Sequence, residues 1–220
     1  MRSQPTTYRS KIYRDFRNIN PAEYGAVVRF YERNESAIAA LDFDEYVELL
    51  LSYTHALFEL GLYNKHLRMA DVVIELSIVE NLITFNGEEL YENTLFRKAA
   101  SYFYLQQYDK AEYIMKELIK INPNDKMNSY FLERCLVKKN PKNQQTLRAF
   151  SMVLLLSAAI FICVEMLIVR PLFAEWVNIL EVTRNILFGI GGFVLAFSFF
   201  GFRLIAKFKV YRFQRSVLKK

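Results

Sequence analysis

Two histidines, two cysteines and one carboxylate inside a long apolar run are the side chains in this sequence that first suggest chemistry. His55 and His66 fall on paired helical stretches, so their rings can approach each other. Without a carboxylate or cysteine placed beside them they make a poor metal site, because zinc takes at least three protein ligands. A structural or surface role is the simpler expectation for both. Cys135 and Cys163 need no disulfide framework to explain them. Carboxylates are plentiful but alternate with Lys and Arg along helix faces, as at Glu112, Lys116 and Glu117, which is the ordinary solvated pattern. No phosphate-cradling glycine loop, nucleophile elbow or metal-ligand spacing is present. The chain therefore reads as a non-enzyme without a cofactor or metal.

Glu165 is the sharper signal. It is the only charged residue between Ala149 and Val169. A carboxylate within a membrane span costs roughly 2.5–3.5 kcal/mol on insertion scales, so it usually faces protein or water. By depth, its partners would be Arg170, Arg184 or Asn185. One reading makes it an ion-pathway or oligomer contact; the other makes it a carboxylate snorkelling near the interface.

The elements that must hold these groups divide the chain in two. The run 149–169 is about long enough to cross a hydrocarbon core of roughly 30 Å at 1.5 Å per residue. Residues 185–202 carry no charge, and the run reaches spanning length at 206 if Arg203 snorkels. A pair of buried core helices is the alternative, but helices inside soluble domains rarely run this long without a polar face. Residues 149–220 hold 9 Lys+Arg against 3 Asp+Glu and so carry the whole net charge of +6, while residues 1–148 are balanced. The basic character therefore belongs to the membrane end and does not indicate nucleic-acid binding. Lys138, Lys139, Lys142 and Arg148 precede the first span. Arg203, Lys207, Lys209, Arg212 and Arg215 follow the second and would meet lipid headgroups. The short connection offsets Arg170 and Arg184 with Glu175 and Glu181, and its stretch 170–176 carries aromatics suited to an interfacial belt. The positive-inside rule then puts both termini in the cytoplasm. The N-terminal stretch lacks the apolar core of a signal peptide. Gly189, Gly191 and Gly192, with Gly192-x3-Ala196, permit close helix approach in the second span.

Ahead of the spans the pattern is helical throughout, and no period-two alternation predicts a sheet. Residues 1–18 form a short helix or a loose arm. Asn20-Pro21-Ala22-Glu23 reads as a cap, Pro at the first helical position and Glu at the third, opening a helix to about Leu41. Asp42 opens a second helix ending at Gly61, and Asn64 a third through about Asn81. A loop with an Asn86-Gly87 turn follows. Further helices cover 88–106, 109–121 and 126–138. Residues 1–140 form a cytoplasmic helical domain, 141–148 a linker, 149–206 the transmembrane hairpin and 207–220 a basic tail.

The helices come in pairs, which calls for a search for repeats. Leu95-x2-Lys98-Ala99-x2-Tyr102-x5-Tyr108-x2-Ala111-x3-Met115-x2-Leu118-x4-Pro123 resembles the tetratricopeptide repeat, a helical hairpin of about 34 residues. Leu95, Lys98 and Leu118 depart from its usual Trp, Leu and final Ala. An earlier copy carries Leu50, Leu57, Gly61, Tyr63 and Ala70, with His66 where a small residue is expected. The resemblance covers 44–138 and implies an all-α solenoid; an unrelated helical bundle with the same spacing is the alternative. It also implies a concave binding face, lined here by Glu48, Leu51, Ser52, His55, Phe58 and Glu59, then by Asn93, Phe96, Arg97, Ala100, Phe103 and Tyr104. Phe58, Phe96 and Phe103 also read as plain core. Of the basic set with which one subfamily grips peptide carboxylates, only Arg97 fits.

The sequence thus leads to a membrane-anchored scaffold in a bacterial inner membrane. It would dock a peptide or helix of a protein partner, contact lipid, and possess hairpins able to self-associate. The rival is a membrane effector whose hairpins oligomerise to permeabilise the bilayer. A third option is an accessory subunit of a transporter or secretion machine.

Overall fold

The computed structural model describes residues 10–85, 88–139, 141–169 and 177–219. The chain is all-α and forms two compact units, residues 1–118 and 119–220.

The first unit begins with α1 (Lys11–Arg17), α2 (Tyr24–Arg33) and the single turn α3 (Glu35–Ile38). Ser10 caps α1, its Oγ accepting from Tyr13 N at 3.1 Å. The single helix expected over 21–41 is two. Asn20 Oδ1 accepts from Ala22 N at 3.1 Å and makes a local turn, so the helix starts later, at Tyr24. At Asn34 the side-chain amide donates to Phe30 O at 2.8 Å and competes with the backbone for that carbonyl, and the residue leaves helical geometry.

Two hairpins follow: α4 (Phe43–Glu59) with α5 (Tyr63–Val79), and α6 (Leu90–Tyr104) with α7, which runs from Tyr108 to Ile121. Helices α4, α5 and α6 stop by one device. A residue with positive φ reverses the chain at Gly61 (72°), Asn81 (52°) and Gln106 (61°). The next amide then reaches back to the third-last helical carbonyl: Leu62 N to Leu57 O, Leu82 N to Ser77 O, Gln107 N to Tyr102 O, each within 2.9 Å. Between the hairpins, Thr84–Phe85 and Glu88–Glu89 pair antiparallel, Thr84 opposite Glu89. This two-residue ladder departs from the expectation of no sheet; it is too short to leave an alternating pattern. The Asn86-Gly87 turn lies outside the described residues.

The core of this unit collects Tyr13, Phe16, Val27, Val28, Ile38, Leu49, Leu50, Leu57 and Val73. Tyr31 and Tyr53 stack at 4.1 Å, and burial pushes both phenols up to about 12. Lys65 Nζ and Tyr53 Oη both donate to Glu32, at 2.7 and 3.1 Å, and the Lys65 hydrogen bond holds that carboxyl below its usual range. Ala70 and Ala99 are fully buried small residues on α5 and α6, two helices that pack directly on one another.

The second unit holds α8 (Lys126–Lys139), α9 (Pro141–Val164), α10 (Val177–Ala196) and α11 (Phe202–Leu218). Asp125 Oδ1 accepts from Met127 N at 2.8 Å at the start of α8. Residues 141–148, expected as a linker, are instead the first two turns of α9, with Pro141 at its N-terminal position, where a missing N–H costs nothing. A π-helical turn, Glu165–Val169, extends α9, and another, Phe197–Gly201, joins α10 to α11 without a break. The basic segment after 206 is therefore not a separate tail but helix to Leu218. Two stretches, Asn143–Leu167 and Asn178–Leu218, are long and apolar enough to cross a membrane. At 41 residues the second is about 60 Å long, twice a hydrocarbon core. Its far end packs on α8 through buried Ala206 and Val210, and Gln214 Nε2 donates to Pro123 O.

α9 and α10 pair antiparallel. A Cβ on Gly191 would meet Leu155 Cδ2 at 3.2 Å, so glycine is what lets the helices approach. Gly189 and Gly192 have nothing within 4 Å at that position. Gly191, rather than the Gly192-x3-Ala196 stripe, makes the contact within this hairpin.

Gln106 is the one stop residue of the three that is neither Gly nor Asn, and a long side chain there costs about 1 kcal/mol. Gln106→Gly should raise the thermal midpoint of the full chain in detergent, followed by circular dichroism, by about 4 °C; an unchanged or lowered midpoint contradicts the account of how α6 ends.

Candidate functional site

Within the first unit, α1, α2, α4, α5 and α6 line a half-open cavity of about 550 Å³, within the range of small-ligand sites, roughly 300–1,000 Å³. Its apolar wall includes Phe16, Ile19, Tyr24, Leu51, Val73 and Leu90; its polar wall includes Arg17, Glu48, Ser52, His55, Asn93 and Arg97. Each polar group is placed by a helix face. Glu48, Ser52 and His55 recur at three- and four-residue spacing on α4, and Asn93 and Arg97 do so on α6.

The charges around the cavity are unequally matched. Glu48 is occupied: Tyr13 Oη donates to its Oε2 at 2.6 Å and Arg17 Nη1 to its Oε1 at 2.9 Å. His55 lies 3.3 Å from Glu59 and meets Tyr24 edge-on at 5.6 Å. Arg97 has no ion pair among the described residues; its guanidinium lies 5.8 Å from the Phe58 ring.

His66 also lines the cavity and is wholly buried. Its Nδ1 is 2.8 Å from Ser101 Oγ on α6, and its Nε2 has no hydrogen-bond partner among the described residues. Burial, then the nearby charges of Arg97 and His55, lower its pKa from 6.5 to about 4, so the ring is neutral at physiological pH.

Of the twelve residues expected on the concave face, Glu48, Leu51, Ser52, His55, Asn93 and Arg97 come together on this cavity. Phe58, Glu59, Phe96, Ala100, Phe103 and Tyr104 do not line it. Glu59 is exposed beside His55. Phe103 is buried, 5.3 Å from Tyr108. Tyr104 is half exposed and stacks on Tyr63 at 4.9 Å. The contribution of α1 and α2 was not foreseen. Its only trace in the sequence is the basic and aromatic character of 11–17, whose partner Glu48 lies 31 residues beyond Arg17. His66 was noticed as a departure from the small residue expected there, and the departure itself was the signal.

The polar residues of the second unit fall as follows. Glu165 is buried, and Arg184 Nη1 donates to its Oε2 at 2.7 Å; Arg184 also bonds Asn185 Oδ1 at 3.3 Å. Arg170, the other expected partner, and the aromatic connection 170–176 lie outside the described residues. Arg203, Lys207, Lys209, Arg212 and Arg215 are all exposed along α11 and its approach. Among the described residues no group of three or more His, Cys, Asp or Glu side chains could hold a metal ion. Comparison with protein-family models, with curated proteins and with solved structures gives no match.

Because the His66 pKa is lowered on folding, the unfolded chain binds the extra proton between pH 6.5 and about 4. The native state therefore loses stability as pH falls through that window, by up to roughly 3 kcal/mol, and nothing further below it. Denaturation midpoints at pH 7.5 and 5 should differ more for the wild type than for His66→Gln; equal differences would mean that His66 does not carry the effect.

Proposed function

We propose that this chain is a membrane-anchored interaction scaffold whose helical unit binds a protein partner on the α4–α6 face while the C-terminal hairpin holds it at the bilayer. The observation that carries the reading is the convergence of Glu48, Ser52, His55, Asn93 and Arg97 on one cavity wall. In this reading the two hairpins are a divergent tetratricopeptide pair. The departure at Lys98 supports it, since this residue pairs with Asp71 on α5 and so replaces an apolar contact with an ionic one at the same helix crossing. The membrane assignment draws on an inside-out pattern. Phe150, Leu156, Ile160, Phe188, Phe193 and Phe200 are exposed while Glu165 is buried, the reverse of a soluble core. Both termini would lie on the cytoplasmic side of a bacterial inner membrane, with the basic residues of α11 at the headgroups.

A photo-crosslinking residue at Ser52 or Asn93, tested in cells against one at exposed Glu75 on α5, examines the docking role. Both cavity positions should yield adducts with the same protein, lost on Arg97→Glu, and the Glu75 position should not. Adducts indifferent to position, or none at all, would remove the docking role.

The membrane effector is the second reading, and the Glu165–Arg184 pair bears on it. A carboxylate already neutralised within its own hairpin has little left to offer an ion path, which favours the anchor. Glu165→Gln should weaken hairpin packing in detergent by about 1–3 kcal/mol, the doubly exchanged Glu165→Arg/Arg184→Glu chain should recover part of it, and ion flux into liposomes should stay at the protein-free level throughout. Flux from the wild type that changes with Glu165→Gln would install the effector reading instead.

A further inference from the structure

We propose that the cavity of the helical unit is a binding site for a small organic anion, a carboxylate or phosphate joined to an apolar body. The inference rests on the reading of the α4–α6 face as the binding face, and narrows what occupies its cavity.

Hydrogen-bond bookkeeping at the floor gives the first argument. Ser101 is completely buried and Nδ1 of His66 is the partner its hydroxyl meets. If Nδ1–H donated to Ser101 Oγ, the serine proton would be stranded in the interior. With Ser101 donating instead, both groups are satisfied and the imidazole proton sits on Nε2. Nε2–H is then a fully buried donor without an acceptor among the described residues, a vacancy that ordinarily costs about 1–3 kcal/mol. His66 lines the cavity, so an acceptor on a bound molecule removes that cost once it displaces the side chains that cover the ring.

The second argument is charge. Glu48 is saturated by Tyr13 and Arg17, so it neither repels an anion strongly nor competes for Arg97. Arg97 is half-buried and faces the cavity without an ion pair among the described residues. A guanidinium offers a two-pronged donor set suited to carboxylate or phosphate, and it lies on the same wall as Asn93. Beside the Nε2–H of His66, the cavity thus holds a guanidinium with no ion pair among the described residues. The rest of the wall, Phe16, Ile19, Leu51 and Leu90 among others, is apolar and would exclude a free, fully hydrated inorganic ion while accommodating a hydrocarbon or aromatic body. Helices α1 and α2 form one side of the cavity, which suits a molecule of limited size.

Isothermal titration of the full chain in detergent with four probes tests this: phenyl phosphate, 3-phenylpropionate, phenol and inorganic phosphate. The first two separate phosphate from carboxylate; phenol has the body without the charge, and inorganic phosphate the charge without the body. At least one of the two organic anions should bind with a Kd below about 1 mM, and phenol and inorganic phosphate at least ten-fold more weakly. Arg97→Gln should weaken that binding ten-fold or more, and His66→Phe, which keeps the ring but not the donor, should weaken it several-fold. Glu75→Gln, on the exposed face of α5 away from the cavity, should leave binding intact. Absence of binding by both organic anions, phenol binding as well as they do, or affinities unchanged in Arg97→Gln while circular dichroism reports a native fold, would each overturn the proposal. Crosslinking from Ser52 and Asn93 to a protein partner reads out separately: adducts that persist without any anion binding would leave the docking role standing and the anion site refuted.

Discussion

The site in the helical unit depends on one buried hydrogen bond, that between His66 on α5 and Ser101 on α6. These helices cross where Ala70 and Ala99 are fully buried, and small residues there let the backbones approach. An imidazole at such a crossing is too large and too polar to be tolerated unless it is paired. Ser101 satisfies one nitrogen and fixes the plane of the ring. Asn93 and Arg97 lie two turns and one turn before Ser101 on the same helix and line the cavity. An apolar residue at 66 would pack more readily but would leave Ser101 without this partner.

Much of the helical architecture was legible because its punctuation is local. Gly61 and Asn81 announce helix ends through their tolerance of positive φ, and the structure stops α4 and α5 there. The errors arose where a local signal had two outcomes. Asn20 can cap a helix or close a turn on Ala22, and nothing within four residues distinguishes these; Asn34 can ride a helix or take the Phe30 carbonyl for itself. Residues 141–148 read as a linker, yet proline is equally at home in the first turn of a helix, where α9 holds Pro141. The wall contributed by α1 and α2 could not be read at all. It rests on Glu48 meeting Tyr13 and Arg17 over separations of 31 and 35 residues, and such pairings leave no periodic trace in one sequence.

In the second unit three contacts fix the register of the hairpin. Arg148 lies 4.3 Å from the Phe199 ring, Leu155 packs on Gly191, and Glu165 meets Arg184. As the number rises along α9 it falls along α10 and the π-helical turn that follows it, as two antiparallel helices require. Arg148 and Glu165 are separated along α9 by about 25 Å, close to the thickness of a hydrocarbon core. Charged side chains thus mark the two rims of the apolar layer and none lies at its centre. Depth alone leaves Glu165 three candidates, Arg170, Arg184 and Asn185, because a charge near the end of one of two antiparallel runs has few groups at its own height on the other; the structure brings Arg184 to it.

The same rule, that a polar group removed from water must find a partner, has different outcomes at two sites. At Glu165 it is closed: Arg184 divides its donors among Glu165, Asn185 and Glu181, and the carboxylate is buried against its own chain. Nothing in that arrangement requires a second molecule, so its economical role is to hold two helices together at a fixed height. In the helical unit the rule is left open. Glu48 is doubly satisfied, yet a few residues away Nε2 of His66 has no acceptor and Arg97 no ion pair among the described residues. A neutral, fully buried imidazole and a half-buried guanidinium on one cavity wall are costs that packing alone would remove by substitution with leucine or glutamine. An acceptor arriving from outside would relieve both costs.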